Sequence, residues 1–180
     1  MKKQFVITIL LLTFSIVLYS QKESNSFLIE NDKLLWQKIF ITEMSFDQLT
    51  LAVIESGVLS SINIEENKIV GESKLFEAEY KGAGFSEFGT PMYIARSFFE
   101  GYCVIDFKDG RYRVTIRNIM LTQKYSDGLS TLGEKRTIES FAVNIGKDTL
   151  KPSFNKKPAI ILDYTFNKAF TFSMAEDDEW

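Results

Sequence analysis

The chain has 180 residues, 45% hydrophobic and 14% aromatic, with 16 phenylalanines and a formal charge of −3. That is about one domain's length with material for a real core, which excludes a disordered chain. There is no histidine and one cysteine, Cys103, which excludes histidine-based triads and dyads and an internal disulfide, and removes the usual zinc ligands.

The opening residues, MKKQFVITILLLTFSIVLYS, set Lys2 and Lys3 before an apolar run over 5–19 and a small residue, Ser20. This is the layout of a secretory signal peptide. The run is shorter than the roughly 20 apolar residues a membrane span needs. Residues 1–20 are therefore expected to be cleaved, leaving Gln21 as the N-terminus, no stable membrane span, and a periplasmic or secreted protein. Loss of Lys2 and Lys3 takes the formal charge from −3 to −5. No cysteine follows the run, so lipid attachment there is not supported.

Residues 21–33 are polar and read as a lead-in. LLWQKIFIT (34–42) is dense in aromatic and β-branched residues and predicts a strand buried on both faces. MSFDQLTLAVIESG (44–57) predicts a helix. Ser45 and Gln48 have capping-box spacing, Met44 and Leu49 stand at the staple positions, and Leu49, Ala52 and Val53 share a face. Gly57 is placed to stop it. SINIEENKIVGESKLFEAEYK (61–81) predicts a hairpin turning at Glu66-Asn67, with Ile64 opposite Ile69 and Ile62 opposite Gly71. Beyond it Phe76, Ala78 and Tyr80 alternate as a half-buried strand.

Residues 82–93, GAGFSEFGTPMY, are punctuated by Gly82, Gly84, Gly89 and Pro91 and form the loosest part of the chain. Phe85, Phe88, Met92 and Tyr93 are either an exposed contact surface or rings folded over one end of a sheet. The abundance of phenylalanine favours the second. Gly82 and Gly84 lack the third glycine, lysine and helix of a phosphate loop.

YCVIDFKDGRYRVTIRNI (102–119) places a type I′ turn signal at Asp109-Gly110. The register then pairs Phe107 with Tyr112, Ile105 with Val114 and Cys103 with Ile116 on one face. Asp106 meets Arg113, Tyr102 meets Arg117 and Lys108 meets Arg111 on the other. The basic residues read first as a solvated hairpin face. As a contact surface, that face would use Arg111, Arg113 and Arg117. Its Asp106–Arg113 pairing and the acidic net charge oppose nucleic-acid binding.

Residues 123–136 read as turn and loop, 137–147 as a further strand, and 148–158 as a linker. For 158–174 the β-rich composition argues for a strand. Pro158 and the i, i+4, i+7, i+8 spacing of Leu162, Phe166, Ala169 and Phe170 argue for a helix, which is the expectation adopted. Residues 34–174 are thus expected to be one α+β domain, with 175–180 an acidic tail.

The order of strand, capped helix, INIEENKIVGE hairpin and GYCVIDFKDGRYRVTIRNI resembles a family of exported bacterial proteins common in the Bacteroidetes. That family is classed as a domain of unknown function with a TATA-binding-protein-like fold. KDGRYR (108–113) and IVGE (69–72) carry the resemblance, which covers residues 34–121. It implies a curved antiparallel sheet with packed helices, and no catalytic residues. The expected function is a non-enzymatic binding or interaction module for a protein or cell-envelope ligand, with no cofactor and no metal. The alternative is a carboxylate- or Tyr-dependent enzyme. Its mark would be a deep pocket converging on two or more of Glu77, Glu79, Glu100 and Asp106.

Overall fold

The computed structural model of the chain describes residues 26–128 and 130–173. The signal-like run and the acidic tail lie outside the described residues. In chain order the elements are β1 (Phe27–Glu30), β2 (Lys33–Ile41), α1 (Phe46–Ser56), β3 (Leu59–Glu65), β4 (Lys68–Ser73) and β5 (Phe76–Glu77). There follow α2 (Met92–Ala95), β6 (Ser97–Lys108), β7 (Arg111–Gln123), β8 (Lys135–Thr137), α3 (Glu139–Ala142), β9 (Val143–Asn144), β10 (Thr149–Leu150) and α4 (Lys157–Ala169). The main sheet is antiparallel in the order β1-β2-β7-β6-β4-β3, with β5 added to β6 and β8 to β7; β9 and β10 form a small separate ribbon. This is the expected α+β architecture.

The central hairpin, β6–β7, has the register the Asp109-Gly110 turn dictates, from Lys108↔Arg111 to Tyr102↔Arg117. Both turn residues have positive φ, 35° and 72°, as a type I′ turn requires. Past Tyr102 the register shifts by one residue. Gly101 stands opposite both Asn118, at φ 51°, and Ile119, so that Glu100 pairs with Met120 and Ser97 with Gln123. This is a β-bulge, which reverses which residues of the bulged strand face inward. Gly101 is required there, because a Cβ would lie 2.8 Å from Ile116 Cγ2 and 2.9 Å from the Arg117 carbonyl oxygen.

Both long helices cover the same face of the sheet. α1 starts with the full capping box: Ser45 Oγ accepts from the Gln48 N–H, and Gln48 Oε1 accepts from the Ser45 N–H. It buries Leu49 and Val53, sets Phe46 5.9 Å from Phe107, and stops at left-handed Gly57. α4 lies over β2, with Phe166 5.6 Å edge-on to Trp36 and the Trp36 indole N–H donating to Asp163 Oδ1 at 2.7 Å. Burial of each large apolar side chain here contributes about 1.5–3 kcal/mol. Tyr112 extends the closure. Its hydroxyl donates to the Phe170 carbonyl at 2.9 Å and accepts from the Phe172 N–H at 3.1 Å.

Several local expectations are corrected. Within the polar lead-in, Phe27–Glu30 form β1, because Phe27 and Ile29 alternate inward against Trp36 and Leu34. The β3–β4 turn and the Ile64↔Ile69 pair are as expected, but Ser61 and Ile62 together oppose Gly71. The strand expected through Tyr80 stops at Glu77, since Ala83 and Phe85 N–H groups bond back to Glu79 and Tyr80 in turns. The 82–93 segment is a series of hydrogen-bonded turns rather than loose chain, held by Lys157 Nζ donating to the Gly89 carbonyl. The strand expected over 137–147 is divided. Ile138 and Ala142, four apart and both buried, point a short helical turn at the core, and Ile145 is exposed. The Tyr102–Arg117 pair does not form a cation–π contact among the described residues, although the two residues are register partners. The expected C-terminal helix is α4, and it ends at Ala169.

Candidate functional site

A cavity of about 260 Å³ opens at the end of the helix-covered face, where β6 begins and β7 ends. Its floor comes from the two strands: Ser97 opposite Gln123, with Leu121 beside them. The bulge at Asn118 brings Gln123 inward, in phase with buried Ile119 and Leu121. Ser97 is buried. Among the described residues, the Gln123 side-chain amide has no hydrogen-bond partner.

One wall is aromatic. Tyr93, from α2, stacks on Phe141, from α3, with ring centroids 4.3 Å apart and planes 6° from parallel. Burial pushes the Tyr93 hydroxyl up to about 12. Met92 flanks it and is exposed.

The rim carries two ion pairs. Arg96 Nη1 lies 3.0 Å from Asp127 Oδ2, and Arg136 donates from Nε to Glu134 Oε1 at 2.7 Å. Asp127 also accepts the Ser130 N–H, and Glu134 the Thr131 N–H. The Arg136 hydrogen bond, followed by the Thr131 N–H, holds the Glu134 carboxyl below its ordinary range. Arg96 and Asp127 also line a second, shallower depression of about 520 Å³ with Glu77, Tyr80 and Tyr125. Lys124 also lines the second depression, 3.2 Å from Glu77 Oε2 and 4.8 Å above the Phe98 ring.

The residues singled out in the sequence fall in three places. Tyr93 and Met92 line the cavity. Phe85 is half-buried against the core with Lys157 Nζ 6.0 Å above its ring, whereas Phe88 is exposed and outside the cavity. Arg111, Arg113 and Arg117 are exposed on the opposite face of the sheet. One cross-strand row there reads Arg113–Asp106–Lys68–Glu65, alternating in sign across β7, β6, β4 and β3. The Arg113–Asp106 pair closes at 2.8 Å. That row is charge-balanced, whereas Arg111 stands opposite Lys108 and Arg117 opposite Tyr102.

Of the four carboxylates that would mark an enzyme, each pairs with a different cation: Glu77 with Lys124, Glu79 with Lys168, Glu100 with Lys135 and Asp106 with Arg113. Glu77 lines the 520 Å³ depression and Glu100 a different one of about 370 Å³. No group of three or more Cys, Asp or Glu positioned for a metal occurs among the described residues, and no helix there is long and apolar enough to cross a membrane.

No protein-family model and no curated protein matches the chain. Among solved structures, it is similar to a TBP-like protein from Parabacteroides distasonis. The identity is 15%, with 79% of this chain and 90% of that one covered, at a TM-score of 0.52. It is also similar to a DUF4468 family protein from Bacteroides ovatus at 17% identity, covering 87% and 99% of the two chains, with a TM-score of 0.43. The first likeness shows the fold: the chain has a TBP-like α+β fold, as the resemblance in its sequence implies.

Proposed function

We propose that this chain is an exported, non-catalytic binding module whose ligand occupies the cavity between Tyr93, Phe141 and the Ser97–Gln123 floor. One observation carries the reading. The cavity combines an aromatic wall, unpartnered amide capacity at Gln123 and ion pairs on its rim, the mixture that binding sites use to combine affinity with orientation. The distribution of Glu77, Glu79, Glu100 and Asp106 over separate ion pairs favours binding over carboxylate catalysis. Export rests on the MKKQFVITILLLTFSIVLYS leader. A cell-envelope or extracellular ligand follows from that location.

The experiment is a pull-down with the mature chain from cell-envelope extract, including its low-molecular-weight fraction. Tyr93→Ala serves as one control and Arg113→Ala, on the far face, as the other. Retention lost in Tyr93→Ala and kept in Arg113→Ala supports the cavity; the reverse moves the site to the open face. The intact mass of the native protein tests export, with a chain starting at or near Gln21 as the expected result.

A further inference from the structure

The lining of this cavity is informative about charge. The inner faces of β6 and β7 are apolar at Phe99, Cys103, Ile105, Val114, Ile116, Ile119 and Leu121, yet Ser97 and Gln123 interrupt them as a directly opposed pair. Inward polar groups on an apolar face cost stability unless something bonds them. Both are neutral, and each can donate and accept.

The rim presents no net charge. Arg96 and Asp127 offset each other, as do Arg136 and Glu134. A carboxylate or ammonium ligand entering here would have to compete with an existing partner for either sign. A guanidinium has five donors, and the one Arg96 bond to Asp127 leaves donor capacity beside that pair. The cavity's 260 Å³ is below the roughly 300–1,000 Å³ of sites for drug-sized ligands.

Neutral polar floor, self-paired rim, aromatic wall and small volume together define one ligand class. We infer that the cavity takes an uncharged polyhydroxylated ring: a neutral monosaccharide, or the terminal residue of a neutral saccharide. Its hydroxyls bond Gln123, Ser97 and the spare donors of the rim, and its apolar edge lies against Tyr93 and Phe141. This rests on the cavity being the binding site.

The test is an NMR titration of the nitrogen-labelled mature chain, following the Gln123 side-chain amide and the Arg96 guanidinium. Glucose, galactose, mannose and N-acetylglucosamine are the neutral probes; glucuronate and glucosamine are the charged versions of the same ring. The expected result is saturable shifts at both groups with at least one neutral sugar, and weaker shifts with both charged ones. Gln123→Leu should reduce affinity about tenfold, and Ser97→Ala should reduce it too, with both melting temperatures measured as a check on folding. If glucuronate or glucosamine binds more tightly than every neutral sugar, the ligand class is wrong and the cavity stands. If the pull-down also places binding elsewhere and no probe moves either resonance, site and ligand class fall together. Tight binding unaffected by either substitution also overturns the inference.

Discussion

Tyr112 fastens the segment after α4 to the middle of the sheet with one buried hydroxyl that both donates and accepts. Tyr112→Phe keeps the ring and its stacking on Phe40, 4.9 Å away, but strands the Phe170 carbonyl and the Phe172 N–H. The expected loss is about 1–3 kcal/mol in urea unfolding. Tyr93 gives a pH signature. Its folded value, about 12, lies above the ordinary 10.0 because burial disfavours the phenolate. Its contribution to stability is therefore fully present below pH 10.0 and is lost as pH rises toward about 12. Burial pushes the Tyr112 hydroxyl up as well, so an ultraviolet titration should show late-ionising absorbance from both tyrosines, and Tyr93→Phe should remove part of it. If Tyr93→Phe leaves the late amplitude unchanged, the assignment is wrong.

The bulge in β7 is the element that builds the candidate site, and Gly101 makes room for it. Gly101→Ala should cost about 1–3 kcal/mol through its clash with Ile116 and the Arg117 carbonyl. It should also weaken ligand binding beyond that, because a register without the bulge pairs Ser97 with Thr122 and turns Gln123 to the other face. Equilibrium unfolding and the sugar titration read the two effects separately. The same bulge marks where the sequence stops being legible. Period-2 alternation and Asp109-Gly110 fixed the pairs from Lys108↔Arg111 to Tyr102↔Arg117, and Ser45, Gln48 and Gly57 marked the ends of α1. Beyond Gly101 strict alternation assigns the wrong face to every residue of β7. Ser97 and Gln123 were therefore invisible as a pair, and Asp127, Glu134 and Arg136 lay in what reads as turn and loop. Only Met92 and Tyr93 were singled out, for their aromatic and apolar character beside glycines. Gly101 inside an otherwise unbroken strand pattern was the available signal, since such a glycine often marks a bulge or a close approach.

Across the whole molecule, charge opposes binding to a duplex. On the open sheet face Arg113 is paired with Asp106, and the chain carries −3 before any cleavage. A titration with duplex DNA at physiological salt should show no appreciable binding. A salt-dependent interaction at micromolar strength, lost in an Arg111, Arg113 and Arg117 triple alanine variant, would overturn this.

The packing of α4 over β2 has a consequence in time. A ribosome delivers Trp36 long before Asp163 and Phe166, the residues that enclose it. Until residues 157–170 emerge, the inner face of β2 has no cover, and the sheet cannot complete its core. A chain shortened to end at residue 156 should show red-shifted, solvent-exposed Trp36 fluorescence and no cooperative melting; a blue-shifted, cooperative product would show that the sheet closes without the helix. The expected outcome would mean that the sheet folds only after α4 has left the ribosome.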